Sequence, residues 1–486
     1  MAPPNTLPPE IQLLILQQVA ELRNSSNDSS ARLSICACVC KRWQLIVEQK
    51  TFRHLTLDST EIQDFARIAN HSRRGYIKHI LLEIPIEDAH DRWLRVDEMG
   101  EGENNLIFTL AVRELWEVLS AWKNHRLTVE LGIVSSFEIN VDKDCYRNTR
   151  RAYSKFLEQG SCDVALPDPH IELLTRFQDP PTDPSYLDVW NWRKRRLLGS
   201  TPLEFDFDRL LESEEQDKDP LPKADVIVRL LLRRRYFRNI SANALSQIFN
   251  AAPRIEVIHF ERWCFGRRRY DEDWDMHSAL LGHELPPTLK QFSFYEEFST
   301  MYHQQPRKMR PGRRNMRLLK AMIETSRHLE HLSISFAIDA QDFFSHNPQL
   351  DWEFLATIAL TSTVLVSRSN AMVNELLECV AEGAKKMPKL KTLEIWHYKT
   401  GEVGIFRYEK FDRSSKIMWQ GTWDFAMSKY VQQAWHQVFT EADGDMYEFG
   451  VEVIKLPPED LTSIGSVFPY LKLKKYILDD VSWTQV

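Results

Sequence analysis

The stretch ELLECVAEGAKKMPKLKTLEIWHY, residues 375–398, sets the grammar of the fold. A helix runs as far as Met387. Pro388 stops it, because proline has no N–H to give the helix and its ring crowds the preceding turn. Beyond it Leu390, Leu393 and Ile395 fall into the alternation of a strand.

The same order of helix, turn and apolar strand recurs in LSQIFNAAPRIEVIHFE (245–261), LPPTLKQFSFYE (285–296) and MIETSRHLEHLSISF (322–336), and FLATIALTSTVLV (354–366) reads as another buried strand. With Ile255, Leu289, Leu329, Leu355 and Leu390 as markers, the spacings are 34, 40, 26 and 35 residues. Spacings of this size suit stacked helix-strand units, each burying the open face of its neighbour. Strands over 77–86 and 127–134, with a helix over Leu106 to Trp122 between them, begin the series. The expectation for residues 58–400 is therefore an irregular α/β array of leucine-rich-repeat-like solenoid character, against the alternative of a non-repetitive α/β domain.

The proline-rich stretch from Leu166 to Lys223, with the acids Glu212, Glu214, Glu215, Asp217 and Asp219, reads as a long mobile surface excursion within it. Residues 401–486 read as a mixed β/α cap, with strands at 404–410, 416–425 and 448–456 around a helix from Ser428 to Thr440.

The N-terminal segment has a different rhythm. TLPPEIQLLILQQVAEL (6–22) is a helix entered through Pro8 and Pro9, with Ile11, Leu14, Ile15, Val19 and Leu22 on one face. The polar run Asn24 to Ser30 ends it and caps a second helix carrying Leu33, Ile35, Ala37 and Val39. Lys41, Arg42, Trp43, Leu45, Ile46 and Val47 form a third, and the chain then extends through Phe52 to Leu57. So small a unit buries too little of its own apolar surface to stand alone, and so calls for a partner or for packing on the rest of the chain.

The order Leu7-Pro8-x-Glu10-Ile11, an aliphatic helix, Cys38-Val39-Cys40-Lys41-Arg42-Trp43 and a closing Phe52-Arg53-His54-Leu55-Thr56-Leu57 resembles the F-box over residues 4–57. The resemblance implies a three-helix unit that docks on a Skp-type adaptor and through it on a cullin-RING ligase. It implies that Leu7, Pro8, Ile11, Leu14, Ile15, Val39, Lys41 and Trp43 form or support the adaptor surface. It further implies that the remainder recruits a protein substrate as part of an SCF complex, with no catalysis in this chain. The Asn24 to Ser30 insertion is longer than the turn most F-boxes have there. A non-ligase scaffold using the same module, or an unrecognised enzyme in the C-terminal half, are the alternatives.

Composition is compatible with that role. The 486 residues carry a net charge of -7, with 43% hydrophobic and 27% charged residues, so the whole molecule offers no strong field for nucleic acid or anionic membrane. Glycine is scarce at 16, whereas phenylalanine numbers 25 and tryptophan 14, a balance that favours packed recognition surfaces over glycine-rich phosphate loops. The longest charge-free apolar stretch, between Glu353 and Arg368, is too short for a bilayer span. No charged-then-apolar leader opens the sequence, and a cytoplasmic or nuclear protein without cofactors is expected.

Phosphate-loop, nucleophile-elbow and zinc-protease motifs are absent from the sequence. Cys36, Cys38 and Cys40 read as small core residues, because alternate residues of a helix cannot share a metal. Arg229, Arg233, Arg234, Arg235 and Arg238 read as the exposed face of a helix whose buried stripe is Val226, Leu230 and Leu231. The acid-free run Arg307, Lys308, Arg310, Arg313, Arg314, Arg317 and Lys320 could grip an acidic or phosphorylated target, act as an import signal, or be a solvated loop. Trp396, His397, Trp419 and Trp423 are the aromatic cluster that an enzymatic pocket would use.

Overall fold

Among the described residues, twelve strands form one sheet whose spatial order is the order of the chain, β1-β2-β3 and so on to β12. They are β1 (His54–Asp58), β2 (His79–Ile86), β3 (Leu127–Ser135), β4 (Ile227–Leu232), β5 (Val257–Trp263), β6 (Gln291–Glu297), β7 (His331–Ser335), β8 (Thr357–Thr361), β9 (Thr392–Lys399), β10 (Glu402–Lys410), β11 (Ser414–Gly421) and β12 (Glu448–Lys455). All neighbours are parallel except β9-β10 and β10-β11. The sheet does not close on itself, because β1 and β12 are its two ends. The computed structural model describes residues 8, 10, 11, 14, 15, 18, 19, 33–69, 71–86, 98–135, 150, 153, 157, 201–211, 221–236, 238–264, 274–283, 285–297, 315–346, 351–399, 401–440 and 448–483.

The anticipated units are present, and their markers have one job. Ile255, Leu289, Leu329 and Leu390 each donate a backbone N–H to the carbonyl three residues back, at Ala252, Pro286, Ser326 and Met387. All four side chains are buried, as are Leu355 and, in the same kind of turn before earlier strands, Ile77 and Ile227. Each turn thus anchors an aliphatic side chain under the sheet and aims the chain into the next strand. The preceding helices start on side-chain caps: Ser241 Oγ accepts from Ala244 N at 2.9 Å, and Asn315 Oδ1 from Leu318 N at 3.0 Å.

One face of the sheet carries the main core. Ile80, Leu82 and Ile84 of β2, Val129 and Leu131 of β3, Ile258 and Phe260 of β5, Phe292 and Phe294 of β6, and Leu393 and Ile395 of β9 belong to one apolar cluster. The helices Glu98–Ser120, Ala242–Asn250, Met316–Ser326 and Asn370–Ala384 contribute Phe108, Leu245, Met322 and Leu377 to the same cluster. Strictly sequential strand order and this shared cluster place the crossover helices together on that face.

Several expectations are corrected. Arg229 to Leu232 is strand and not helix, and Arg233, Arg234 and Arg235 are buried rather than solvated. Of the expected surface excursion, the described residues 201–211 and 221–223 include a packed portion. Leu203 is buried, and the Phe205 ring lies 5.1 Å from Phe108 and 4.9 Å from Phe207. Its remaining residues, 166–200 and 212–220, lie outside the described residues. Cys36 is buried, but Cys38, the last residue of the short 3-10 turn Leu33–Cys38, and Cys40, the N-cap of the helix that follows, are exposed. Trp396 lies in a different apolar cluster from Trp419 and Trp423, on the opposite face of the sheet, so these rings line no common pocket. No described helix is long and apolar enough to cross a membrane.

Candidate functional site

Three surfaces present themselves: an apolar N-terminal patch, the second face of the sheet, and the row of residues on which the strands begin.

At the N-terminus, Glu10, Ile11, Leu14, Ile15, Gln18 and Val19 are helical, followed by the 3-10 turn Leu33–Cys38 and the helix Lys41–Thr51. The buried centre of this unit is Cys36 and Val47, with Val19, Ala37, Trp43 and Ile46 packed around them. Arg73 Nη2 reaches Glu48 at 2.7 Å and joins the unit to the start of the array. Its aliphatic side chains largely face outward: Ile11 is 42% exposed, Leu14 55%, Ile15 39%, Ile35 55%, Val39 64% and Leu45 51%. Pro8 and Lys41 are also exposed, and Trp43 is half-buried as a support; Leu7 lies outside the described residues. Six half-exposed aliphatic side chains in so short a segment are an uncommon concentration for a free surface.

The second face of the sheet is lined with charge and then covered by the chain's own end. Residues 456–483 cross it in reverse strand order. Tyr398 of β9 donates its O–H to Thr462 O at 3.1 Å, and the Trp396 ring lies 5.9 Å from Phe468. Lys472 N and Leu473 N donate to the Glu394 carboxylate at 3.1 and 3.0 Å. Tyr476 stacks on His331 of β7 at 4.8 Å, Asp479 N donates to Glu261 of β5 at 2.9 Å, and Val481 packs with Leu81 of β2 and Val134 of β3. Covering explains why β2, β5, β8 and β9 are buried on both faces, whereas β11, beyond the strap, alternates buried with half-buried residues.

Beneath the strap lies a buried ion network. Arg233 Nε pairs with Asp479 Oδ1 at 3.1 Å and Nη1 with Glu130 at 3.4 Å, while His79 Nε2 lies 3.1 Å and the Tyr153 hydroxyl 2.5 Å from the same Glu130 carboxylate. Burial alone would raise Asp479, but Arg233 above all, with His259 and Arg229, holds its carboxyl down at about 2. Burial would likewise raise Glu130, and Arg233 and His79 outweigh it. At Glu394 burial wins and its carboxyl is raised, despite Arg407 Nε at 2.8 Å and the two strap amides. Gly132 belongs here too: the Tyr236 ring sits where its Cβ would be, so no larger residue fits under that ring.

Magnitudes decide what the strap is. Leu456, Leu461, Val467, Phe468, Leu471, Leu473, Ile477, Leu478 and Val481 are all buried. At roughly 1.5–3 kcal/mol for each buried side chain, the gross stabilisation exceeds about 10 kcal/mol, comparable with the whole stability of a domain. The strap is a permanent part of the core, and the ion network beneath it is structural.

The third surface is the row of residues immediately before the strands. Arg53 O accepts from Lys78 N. Further along, Val228 O accepts from Glu256 N, Glu256 O from Lys290 N, Lys290 O from Glu330 N, Glu330 O from Ala356 N, Ala356 O from Lys391 N and Lys391 O from Lys410 N, at 2.8–2.9 Å. From Glu256 to Ala356 each carbonyl takes a second bond from the next amide, at Gln291, His331, Thr357 and Thr392. Glu256, Lys290, Glu330, Ala356 and Lys391 therefore stand in register, each directly after a buried marker, and the antiparallel β10 brings its last residue, Lys410, to the end of the row. Where it reaches Glu330, Ala356, Lys391 and Lys410, an open cavity of about 900 Å³ lies between Phe354, Pro388, Lys389, Leu390, Phe411 and Asp412.

The basic run expected to meet acidic targets is not brought to this cavity by any described contact. Arg307, Lys308, Arg310, Arg313 and Arg314 lie outside the described residues, and the exposed Arg317 donates through Nη1 to Met276 O at 3.0 Å. The row was legible in principle, since its members follow the markers Ile255, Leu289, Leu329, Leu355 and Leu390 by one position. The ion network was not, since Asp479 and Arg233 are far apart in sequence. Among the described residues no cluster of three or more His, Cys, Asp or Glu side chains could hold a metal ion.

No curated protein matches the chain. Residues 284–479, less than half of it, match a family described as Family of unknown function (DUF6546). The matched segment runs from just before β6 to Asp479 in the strap, so it takes in the row cavity and leaves the N-terminal unit outside.

Proposed function

We propose that this chain is the substrate-recognition subunit of an SCF-type ubiquitin ligase, a non-catalytic adaptor that docks a Skp-type protein through its N-terminal helices. The observation that carries the reading is the outward-facing set Ile11, Leu14, Ile15, Ile35, Val39 and Leu45 beside the buried Cys36 and Val47. Each of these side chains, about half exposed, would gain roughly 0.8–1.5 kcal/mol on complete burial, so the six together suit a stable protein interface. The F-box resemblance names the partner, and the helix Lys41–Thr51 followed by β1 agrees with its order of elements.

The reading of residues 58–400 as an irregular leucine-rich-repeat-like solenoid belongs to the same proposal. Its support is the sequential strand order and one marker turn per unit. A cytoplasmic or nuclear location goes with it. Because the strap occupies the second face of the sheet, recruitment in this molecule uses the ends of the strands and their loops rather than that face.

Co-purification with a recombinant Skp-type adaptor tests the proposal. The unmodified chain should form a 1:1 complex, and Leu14→Asp should weaken it at least a hundredfold while the melting temperature of the array stays unchanged. Absence of binding by the unmodified chain overturns the proposal. Adaptor binding without cullin recruitment would favour the non-ligase scaffold.

A further inference from the structure

The sheet ends on β12, and among the described residues that strand is bonded to β11 alone. Glu448 N donates to Arg413 O at 3.4 Å and, in the same parallel register, Leu456 N donates to Gly421 O at 2.8 Å. Alternate residues of a strand turn their backbone groups to opposite sides, so Glu448, Gly450, Glu452 and Ile454 serve β11. Phe449, Val451, Val453 and Lys455 therefore aim their N–H and C=O groups at the outer edge, a template for another strand.

The same outward-bonding residues carry apolar side chains. Val451 and Val453 stand in register with Ile417 and Trp419 of β11, on the main core face. The helix Lys429–Thr440 reaches Phe449 through His436, at 5.5 Å between rings, and leaves Val451 40% and Val453 50% exposed. Edges are commonly guarded by charges that repel an incoming strand. Here Glu452 is paired with Lys416 of β11, and Lys455 with Asp424 at 2.8 Å, so both charges are turned back onto the chain.

Laid antiparallel on a second copy, β12 complements itself in one register. With Val451 opposite Val451 of the partner subunit, Phe449 faces the partner subunit's Val453, and each such pair exchanges two backbone hydrogen bonds. On the other face Glu452 meets Gly450 of the partner subunit. A slide of two residues one way sets Glu448 against a second Glu452, and the other way sets Glu452 against itself, and like charges directly opposite resist pairing. A slide of one residue puts the outward-bonding groups out of phase. Glycine at 450 is not required by its own chain, since a Cβ there would meet Lys416 and Ser415 at no less than 3.6 Å, an ordinary contact. Opposite Glu452 the bare backbone leaves that side chain room.

We propose that the β12 edge is the interface of a two-fold dimer, in which two copies join their sheets through antiparallel β12 strands centred on Val451. The dimer sets the two N-terminal units at the outer ends of one continuous sheet, and it stands independently of the adaptor reading.

Sedimentation velocity of the full chain, with no adaptor present, reads the association. A single pair of strands is a small interface, so a reversible monomer–dimer equilibrium with a Kd of about 10 µM is expected. Gly450→Glu, Val451→Lys and Val451→Glu should each weaken it at least tenfold, and Lys123→Glu, exposed near β3, should leave it within twofold. Because residue 451 faces its own copy, mixing the Val451→Lys and Val451→Glu proteins should restore association at least tenfold over either alone, which misfolded variants could not do. A chain that stays monomeric at about 100 µM overturns the proposal. So does a dimer unchanged by both Val451 substitutions, as one formed through the N-terminal apolar patch would be, or a mixture no stronger than its components. Growth into an open series of larger species, the signature of β12 meeting β1 of the next copy, also overturns it.

Discussion

His397 shows how a single buried side chain can set the acid limit of this fold. Burial lowers its pKa from 6.5 to about 4, with Lys399 adding to the effect and Asp339 opposing it. The folded protein holds the ring neutral where the unfolded chain would protonate it. The stability this contributes is complete above pH 6.5 and is lost as pH falls from 6.5 to 4, roughly 3 kcal/mol at most. His54, half-buried beside His79 and also lowered to about 4, acts in the same direction with a smaller effect because of solvent screening. The melting temperature should fall between pH 7 and pH 5, and His397→Phe should flatten that fall. An identical slope in the variant would contradict this. Asp479, held at about 2, keeps its contribution until the pH passes below about 4, so it belongs to a separate and more acidic transition.

Among the elements, the strap is the one whose role a deletion reveals. A protein ending at Leu456 would expose the apolar clusters around Trp396 and around Leu81 and Val134, and leave Arg233 without Asp479. It should be insoluble or molten. Phe468→Ala is the milder test, expected to cost about 3–5 kcal/mol as a cavity forms beside Trp396, seen as a lower melting temperature. A truncated protein that melts cooperatively at the temperature of the full chain would show the strap to be dispensable.

The element scale also explains what the sequence reveals. The turns at Pro253, Pro286 and Pro388 and the alternation after Leu390 announce themselves locally, which is why β5 to β12 are readable. The segment IVRLLLRRR, 227–235, is not: a short apolar run suits helix and strand alike, and the groups that hold its buried arginines, Asp479 and Glu130 for Arg233, Trp263 for Arg234 and the Tyr153 and Tyr236 rings for Arg235, come from elsewhere in the chain or from the turn that follows. The strap, too, lacks regular periodicity, since its structure is 3-10 turns such as Gly465–Tyr470 and single helical turns such as Lys474–Ile477, shaped by the surface beneath.

For the whole molecule, the division of labour is between a small N-terminal unit that leaves Ile11, Leu14, Ile15, Ile35, Val39 and Leu45 outside and a large sheet whose strands β2, β5, β8 and β9 are buried on both faces. Most of the apolar side chains of the array are used internally, whereas Leu14, Ile35 and Val39 are not. That asymmetry is what the adaptor reading rests on. The proline and aliphatic pattern from Leu7 to Trp43 made it visible in sequence. The alternative, a helical unit packed on its own array, requires those side chains to be covered by the chain itself.

Hydrogen–deuterium exchange of the full chain, alone and with an equimolar Skp-type adaptor, tests this most directly. The account predicts new protection in peptides spanning residues 8–19 and 33–51, with the strap and the row of Lys391 and Lys410 unchanged. No change in the N-terminal peptides, or protection confined to the array, would contradict it.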